Sequence, residues 1–181
     1  MFITAGATGT TKTTSWKVVL PFYAYAALSF LTATLLLVLS ATQITKHYFH
    51  PHTLAITHIM ALGWGTMIIL GASHQLVPVL IEGKLYSNKL AFSSFILAGL
   101  GIPLLAYSFY VFDMGWPAKW GGRLVILAII AYLINIAVSM TKSKHENVHA
   151  VFVFTAALWL LATATVGLIL VYNFSYRLIP G

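Results

Sequence analysis

Cysteine is absent from this chain of 181 residues, and its absence removes whole classes of chemistry. Disulfide bonds and thiolate metal ligands are excluded, and so are iron–sulfur clusters held by cysteine. A bound metal would need imidazole, carboxylate, thioether or backbone oxygen ligands, and imidazole suits haem iron, copper and zinc. We therefore expect any cofactor to be haem or a transition metal (copper or zinc), with ligands drawn from the seven histidines.

Charged residues are also scarce. Asp, Glu, Lys and Arg make up 7% of the chain, whereas soluble domains carry about 25%. Hydrophobic residues make up 60%, which would leave a soluble protein little polar surface, so the expected surroundings are a lipid bilayer. The net charge of +7 is spread along the chain without a basic run, and nucleic acid is therefore not an expected partner.

The few charges divide the sequence into five long uncharged stretches. A helix needs about 20 apolar residues to cross the hydrocarbon core, and these stretches are close to that length or longer. None alternates in polarity as a strand of a membrane barrel would. The predicted fold class is therefore all-α, a polytopic membrane bundle of five transmembrane helices. We predict these helices at 18–41, 52–80, 90–112, 122–141 and 148–174.

The remaining residues are predicted to be short tails and loops. Residues 1–17 read as a flexible N-terminal tail, residues 18–176 as the transmembrane domain and residues 177–181 as a C-terminal tail. Pro78 is expected to end or kink the second helix. The tryptophans, proline and glycines of 113–122 indicate an interfacial loop.

The distribution of Lys and Arg predicts the orientation. Six of these residues lie on the side of the N-terminus and four on the other side. Because cytoplasmic loops carry the excess of Lys and Arg, we expect a cytoplasmic N-terminus in a multi-pass protein of the cell (inner) membrane.

His58 lies about two turns inside the second predicted helix, among apolar and small residues. Ionisable residues at such depth are rare and usually face a bundle interior, a cavity or a partner. Gly63, Gly65 and Gly71 on the same helix permit either close helix packing or a flat cofactor against the backbone. His58 is therefore either a cofactor ligand or a neutral histidine bonded to a neighbouring helix. His74 is too far from it on an ideal helix to share one metal.

An H-E-x-x-H sequence follows the fourth predicted helix. On a helix, the imidazoles of His145 and His149 would share one face and could bind zinc, with Glu146 as the general base of a hydrolase. A zinc site needs a third ligand, and His74 or Glu82 lies on the same predicted side. The alternative is the start of a juxtamembrane helix whose charged residues avoid lipid.

A third group of histidines lies near the first predicted loop. His50 and His52 flank Pro51 and could reach a shared metal ion together with His47 or Asp113. The alternative is a solvated loop in which the histidines have no ligand role.

The second predicted helix resembles that of haem–copper oxidase subunit I proteins, in particular the nitric-oxide reductase and NnrS-type branch. The resemblance rests on His58, on the small-residue run from Gly63 to Ala72, and on the sequence Leu76-Val77-Pro78. In that family a histidine near the outer end of this helix ligates haem. The resemblance therefore implies that His58 binds haem in a respiratory-type membrane protein.

The rest of the chain is similar to that family only in architecture. Such subunits have more helices than the five predicted here, and their paired copper ligands and second haem ligand have no counterpart. The resemblance thus implies the N-terminal portion, or a short relative, of an oxidase subunit I that is not catalytically complete alone. A homo-oligomer or other respiratory membrane subunits are the expected partners. An intramembrane zinc hydrolase and a structural or assembly protein remain the alternatives.

Overall fold

The computed structural model describes residues 14–142 and 148–176. This part of the chain contains no strand and has five helices that are long and apolar enough to cross a membrane. Their mean hydropathy lies between 1.7 and 2.4, and the predicted all-α class with five spans is confirmed. The helices are α1 (Trp16–Leu39), α2 (Pro51–Leu80), α3 (Asn88–Val111), α4 (Trp116–Thr141) and α5 (Val148–Tyr176).

Local chemistry sets several helix ends. Nδ1 of His50 accepts a hydrogen bond from the backbone N–H of His52 (3.3 Å), and Pro51 occupies the first turn, where its missing N–H is no loss. Oγ of Ser87 caps α3 by accepting from the backbone N–H of Leu90 at 3.1 Å. The predicted ends of α1, α2, α3 and α5 are confirmed to within two residues.

The predicted start of the fourth helix is wrong. We expected a loop at 113–122, but α4 begins at Trp116. Pro117 lies in the first turn, where proline is favoured, and Gly121 forms a helix contact. The residues that indicated a loop therefore start a helix. The predicted tail also ends earlier, because Trp16 and Lys17 already belong to α1.

In the middle of α2 the backbone changes from α-helix to π-helix, which was not predicted from the sequence. The segment Ile59–Thr66 is a π-helix that starts directly after His58. Oγ1 of Thr66 donates to the carbonyl of Ala61 at 3.0 Å, five residues back. Because π turns hold more residues, they rotate the two ends of α2 relative to each other. Such segments are rare and frequently mark functional sites.

Glycines bring the helices into close contact. A Cβ atom on Gly121 would lie 2.7 Å from the backbone nitrogen of Leu105, and one on Gly101 would lie 2.8 Å from the carbonyl oxygen of Gly121. On the α1 side, a Cβ on Gly63 would lie 2.6 Å from Oγ of Ser29. Small residues permit such approaches between membrane helices, and here they hold α3 against α4 and α2 against α1.

A buried polar clamp fastens the α2–α3 connection to α4. The side chain of Asn135 accepts from the backbone N–H of Ser87 (3.0 Å) and donates to its carbonyl (3.1 Å). Oγ of Ser139 accepts from the backbone N–H of Tyr86 at 2.9 Å. Asn135 and Ser139 are fully buried, so their side chains use these backbone groups to satisfy their own hydrogen bonds inside the bundle.

α5 is packed more loosely than the other helices. Its buried residues are Ala150, Ala157 and Val171, and large apolar side chains such as Trp159 point outward with 68% of the side chain exposed. In a bilayer this surface faces lipid or another helix. α5 is therefore the helix whose displacement disrupts the least packing.

We expect Gly121→Leu to destabilise the bundle by about 1–3 kcal/mol, the usual cost of overpacking. The added side chain collides with backbone atoms of α3, which cannot move aside. Unfolding of the detergent-solubilised protein by added SDS measures the change. Gly167→Ala is the control, because a Cβ there meets nothing within 4 Å. Equal stability of the two variants would contradict the α3–α4 contact.

Candidate functional site

His58 is held rigidly at the junction between the α-helical and π-helical parts of α2. Its Nδ1 lies 2.7 Å from the carbonyl oxygen of Leu54, one turn back on the same helix. Its ring stacks on that of Phe109 from α3, with the centroids 4.0 Å apart and the planes at 26°. One hydrogen bond and one stacked ring therefore fix both the position and the plane of the imidazole.

The Leu54 bond also decides where the proton of the His58 ring resides. A carbonyl oxygen only accepts hydrogen bonds, so Nδ1 must carry the hydrogen. In the neutral ring, Nε2 then has a free lone pair. Metal-binding histidines adopt this arrangement, in which one nitrogen donates to a carbonyl and the other faces the metal.

His58 lines a cavity of about 240 Å³ between α2, α3, α4 and α5. The walls are apolar and include Leu105 and Leu160. Two glycines line the cavity: a Cβ on Gly122 would lie 2.7 Å from Cδ1 of Leu168, whereas a Cβ on Gly167 would meet no atom within 4 Å. Within the described part of the chain, His58 is the cavity-lining residue that has a metal-binding nitrogen.

The sequence analysis did not identify the other walls of this cavity. Gly122, Thr163 and Gly167 contribute to it from α4 and α5. Gly122 was predicted at the boundary between a loop and the fourth helix, and nothing in the sequence distinguishes Gly167 from a glycine at a helix contact. The one indication in the sequence was that Gly167 lies within a long apolar span, away from its ends.

His74 shares the tautomer of His58 but has no space around it. Its Nδ1 lies 2.8 Å from the carbonyl of Leu70, and the residue is fully buried. The rings of Phe22 and Tyr132 lie at 5.3 Å from its own. Nε2 is buried without a hydrogen-bond partner in the described structure, which costs about 1–3 kcal/mol.

The histidines around the start of α2 have a structural use. Nδ1 of His50 accepts the backbone N–H of His52, and Nδ1 of His47 likewise accepts a backbone N–H two residues later. In a neutral ring these bonds leave the hydrogen on Nε2, so that nitrogen has no free lone pair. Nδ1 of His52 pairs with Oγ of Ser40 (2.9 Å), and its ring stacks on Tyr110 at 4.3 Å. These contacts organise the start of α2.

The H-E-x-x-H prediction falls largely outside the described residues, since His145 and Glu146 are not among them. His149 lies exposed in the first turn of α5. Within 14–142 and 148–176, no three His, Asp or Glu side chains come close enough to hold a metal ion. The zinc site, with His74 or Glu82 as its third ligand, stays a prediction.

No protein-family model, curated protein or solved structure matches this chain. The resemblance of α2 to oxidase subunit I therefore stays a prediction that rests on its own residues. The chemistry of the site has to be inferred from its geometry.

We expect His74→Leu to raise the stability of the cofactor-free protein by about 1 kcal/mol, because it removes a buried nitrogen without a partner. SDS unfolding measures the change. His52→Leu is the matched control and should lower stability, since it breaks the bond to Ser40. A destabilised His74→Leu protein would mean that Nε2 has a partner, and loss of bound metal would identify it.

Proposed function

We propose that this protein binds haem within the membrane, with Nε2 of His58 as an axial ligand of the iron. The observation that carries the proposal is the hydrogen bond from Nδ1 of His58 to the carbonyl of Leu54. This bond leaves the lone pair on Nε2, and the imidazole lies at a cavity inside an apolar bundle.

The number of available ligands favours haem over a free zinc or copper ion. Structural and catalytic zinc sites take three or four protein ligands, and the described residues hold no such group. A porphyrin brings four nitrogen ligands of its own, so a single histidine completes a useful site. One histidine can therefore complete a haem site, whereas a bare metal ion would need further protein ligands.

The size of the cavity sets a condition on binding. At about 240 Å³ it lies below the roughly 300–1,000 Å³ of cofactor-sized pockets. Haem would therefore fit only if one wall moved outward. α5 is the wall with the fewest buried residues, and it contributes Gly167 and Thr163 to the cavity. We infer that α5 shifts when the cofactor binds.

Haem bound here would supply a redox-active iron. The chain would provide the imidazole, the Phe109 ring that holds its plane, and apolar walls that exclude water and thereby tune the redox potential. A second axial ligand would come from a second copy of the chain or from another respiratory membrane subunit. Reduction of oxygen or nitric oxide by this chain alone is not proposed. With a cytoplasmic N-terminus, the site would lie near the outer face of the inner membrane.

His58→Ala should abolish the haem Soret band of protein that is expressed and purified with haem supplied. Imidazole added to this variant should restore the band, because it occupies the space that the side chain leaves. His52→Ala is the matched control, a histidine on the same helix with its Nδ1 bonded to Ser40, and it should keep the wild-type spectrum. Unchanged haem content in His58→Ala would disprove axial ligation by this residue.

Gly167→Leu should reduce haem content at least tenfold while the protein still folds. Gly167 lines the cavity and a Cβ there meets no atom within 4 Å, so we expect the leucine to compete with the cofactor and not with packed atoms. Pyridine haemochrome assay gives the haem content, and circular dichroism checks the fold. Gly99→Leu is the control on α3, away from the cavity, and should retain haem. Full haem content in Gly167→Leu would place the cofactor elsewhere.

A further inference from the structure

Two cations and three aromatic rings form a cluster where the start of α4 meets the end of α5. Nζ of Lys119 lies 4.7 Å from the ring centroid of Tyr176 and 5.7 Å from that of Tyr172. Cζ of Arg123 lies 5.0 Å from the ring of Trp120 and 5.6 Å from that of Tyr172. Arg123 also donates a hydrogen bond to the hydroxyl of Tyr172. We call these five residues the basic–aromatic cluster.

In the part of the chain that the structure describes, no ion pair joins Lys119 or Arg123 of the basic–aromatic cluster to a carboxylate. The whole sequence contains three acidic residues. Asp113, the one that precedes α4, accepts the backbone N–H of Gly115 with its Oδ1 at 2.8 Å and forms no ion pair with Lys119 or Arg123. Lys119 and Arg123 both approach the ring of Tyr172, so two like charges converge on one ring. An anion between them would relieve this repulsion.

The position of Lys119 in α4 makes its charge less favourable in the absence of an anion. Lys119 is the fourth residue of α4, where the positive end of the helix dipole disfavours a cation. Trp116 and Trp120 are exposed by 67% and 51%, as tryptophans are at the boundary between lipid tails and headgroups. The cluster therefore lies at the depth of lipid phosphates.

We propose that the basic–aromatic cluster binds the phosphate of an anionic phospholipid headgroup. The guanidinium of Arg123 offers the planar pair of N–H donors that matches two phosphate oxygens, and Lys119 adds a point charge. Trp120, Tyr172 and Tyr176 hold the two cations in place. Since these residues come from both helices, the bound lipid would join α5 to α4. The proposal does not depend on haem binding.

Native mass spectrometry of the full chain, titrated with phosphatidylglycerol or with phosphatidylcholine of the same acyl chains, tests this site. Wild type should bind phosphatidylglycerol more tightly. Removing two basic residues near a membrane surface should weaken that binding about thirtyfold, so Lys119→Gln/Arg123→Gln should lose the preference. Lys84→Gln/Lys89→Gln, which removes the same charge from the α2–α3 connection and the start of α3, should keep it.

Two further comparisons distinguish a lipid phosphate from free phosphate and exclude misfolding of a variant as the explanation. Inorganic phosphate, added at the same concentration as the lipid, should not raise the melting temperature, whereas phosphatidylglycerol should. Equal effects of both would overturn the lipid assignment. Equal binding of the two lipids by wild type would overturn the site without any variant. Equal loss in both double variants would show a general charge effect and would also overturn it.

Discussion

The absence of water in the hydrocarbon core governs this structure, because every backbone polar group there must find a partner within the protein. The backbone meets this requirement by forming helices. Threonines do the same on a smaller scale, as when Oγ1 of Thr57 donates to the carbonyl of Thr53. His58 and His74 follow the same rule with Nδ1, and the rule leaves Nε2 without a partner on each ring. The imidazole becomes a potential ligand because its other nitrogen is satisfied by its own helix.

Glycines have two different roles in this bundle. Some allow two helices to pack closely, and one leaves open space at the candidate site. At Gly101 and Gly121 the backbones of two helices fill the space that a side chain would need. At Gly167 no atom fills it, and a cavity results beside His58. Apolar burial does not drive helix association in lipid as it does in water, so close contacts carry stability. The close glycine contacts elsewhere in the bundle therefore allow the space beside His58 to remain open.

The helices were predictable from the sequence because charged residues are excluded from membrane spans. This exclusion is visible in each stretch of sequence without knowledge of its distant neighbours. It failed at Trp116–Gly121, where proline and glycine have the same appearance in a loop and at a helix start. The position of His58 two turns after the start of α2 was predictable from the sequence. Its tautomer, the stacked Phe109 and the cavity wall from α5 were not, because they depend on residues distant in sequence. The π-helix depends on the same packing, and glycines alone do not specify it.

α5 links the two proposed sites. Val171 and Gly167 line the cavity beside His58, while Tyr172, the residue after Val171, belongs to the basic–aromatic cluster. A phospholipid that joined Tyr172 to Arg123 would hold this end of α5 against α4. The α5 residues that line the cavity run from Leu160 to Val171, so a lipid bound next to Tyr172 would resist the outward shift of α5 that haem would require. The two proposed sites would therefore oppose each other, because a lipid that fastens this end of α5 would hold in place the wall that the cofactor has to displace.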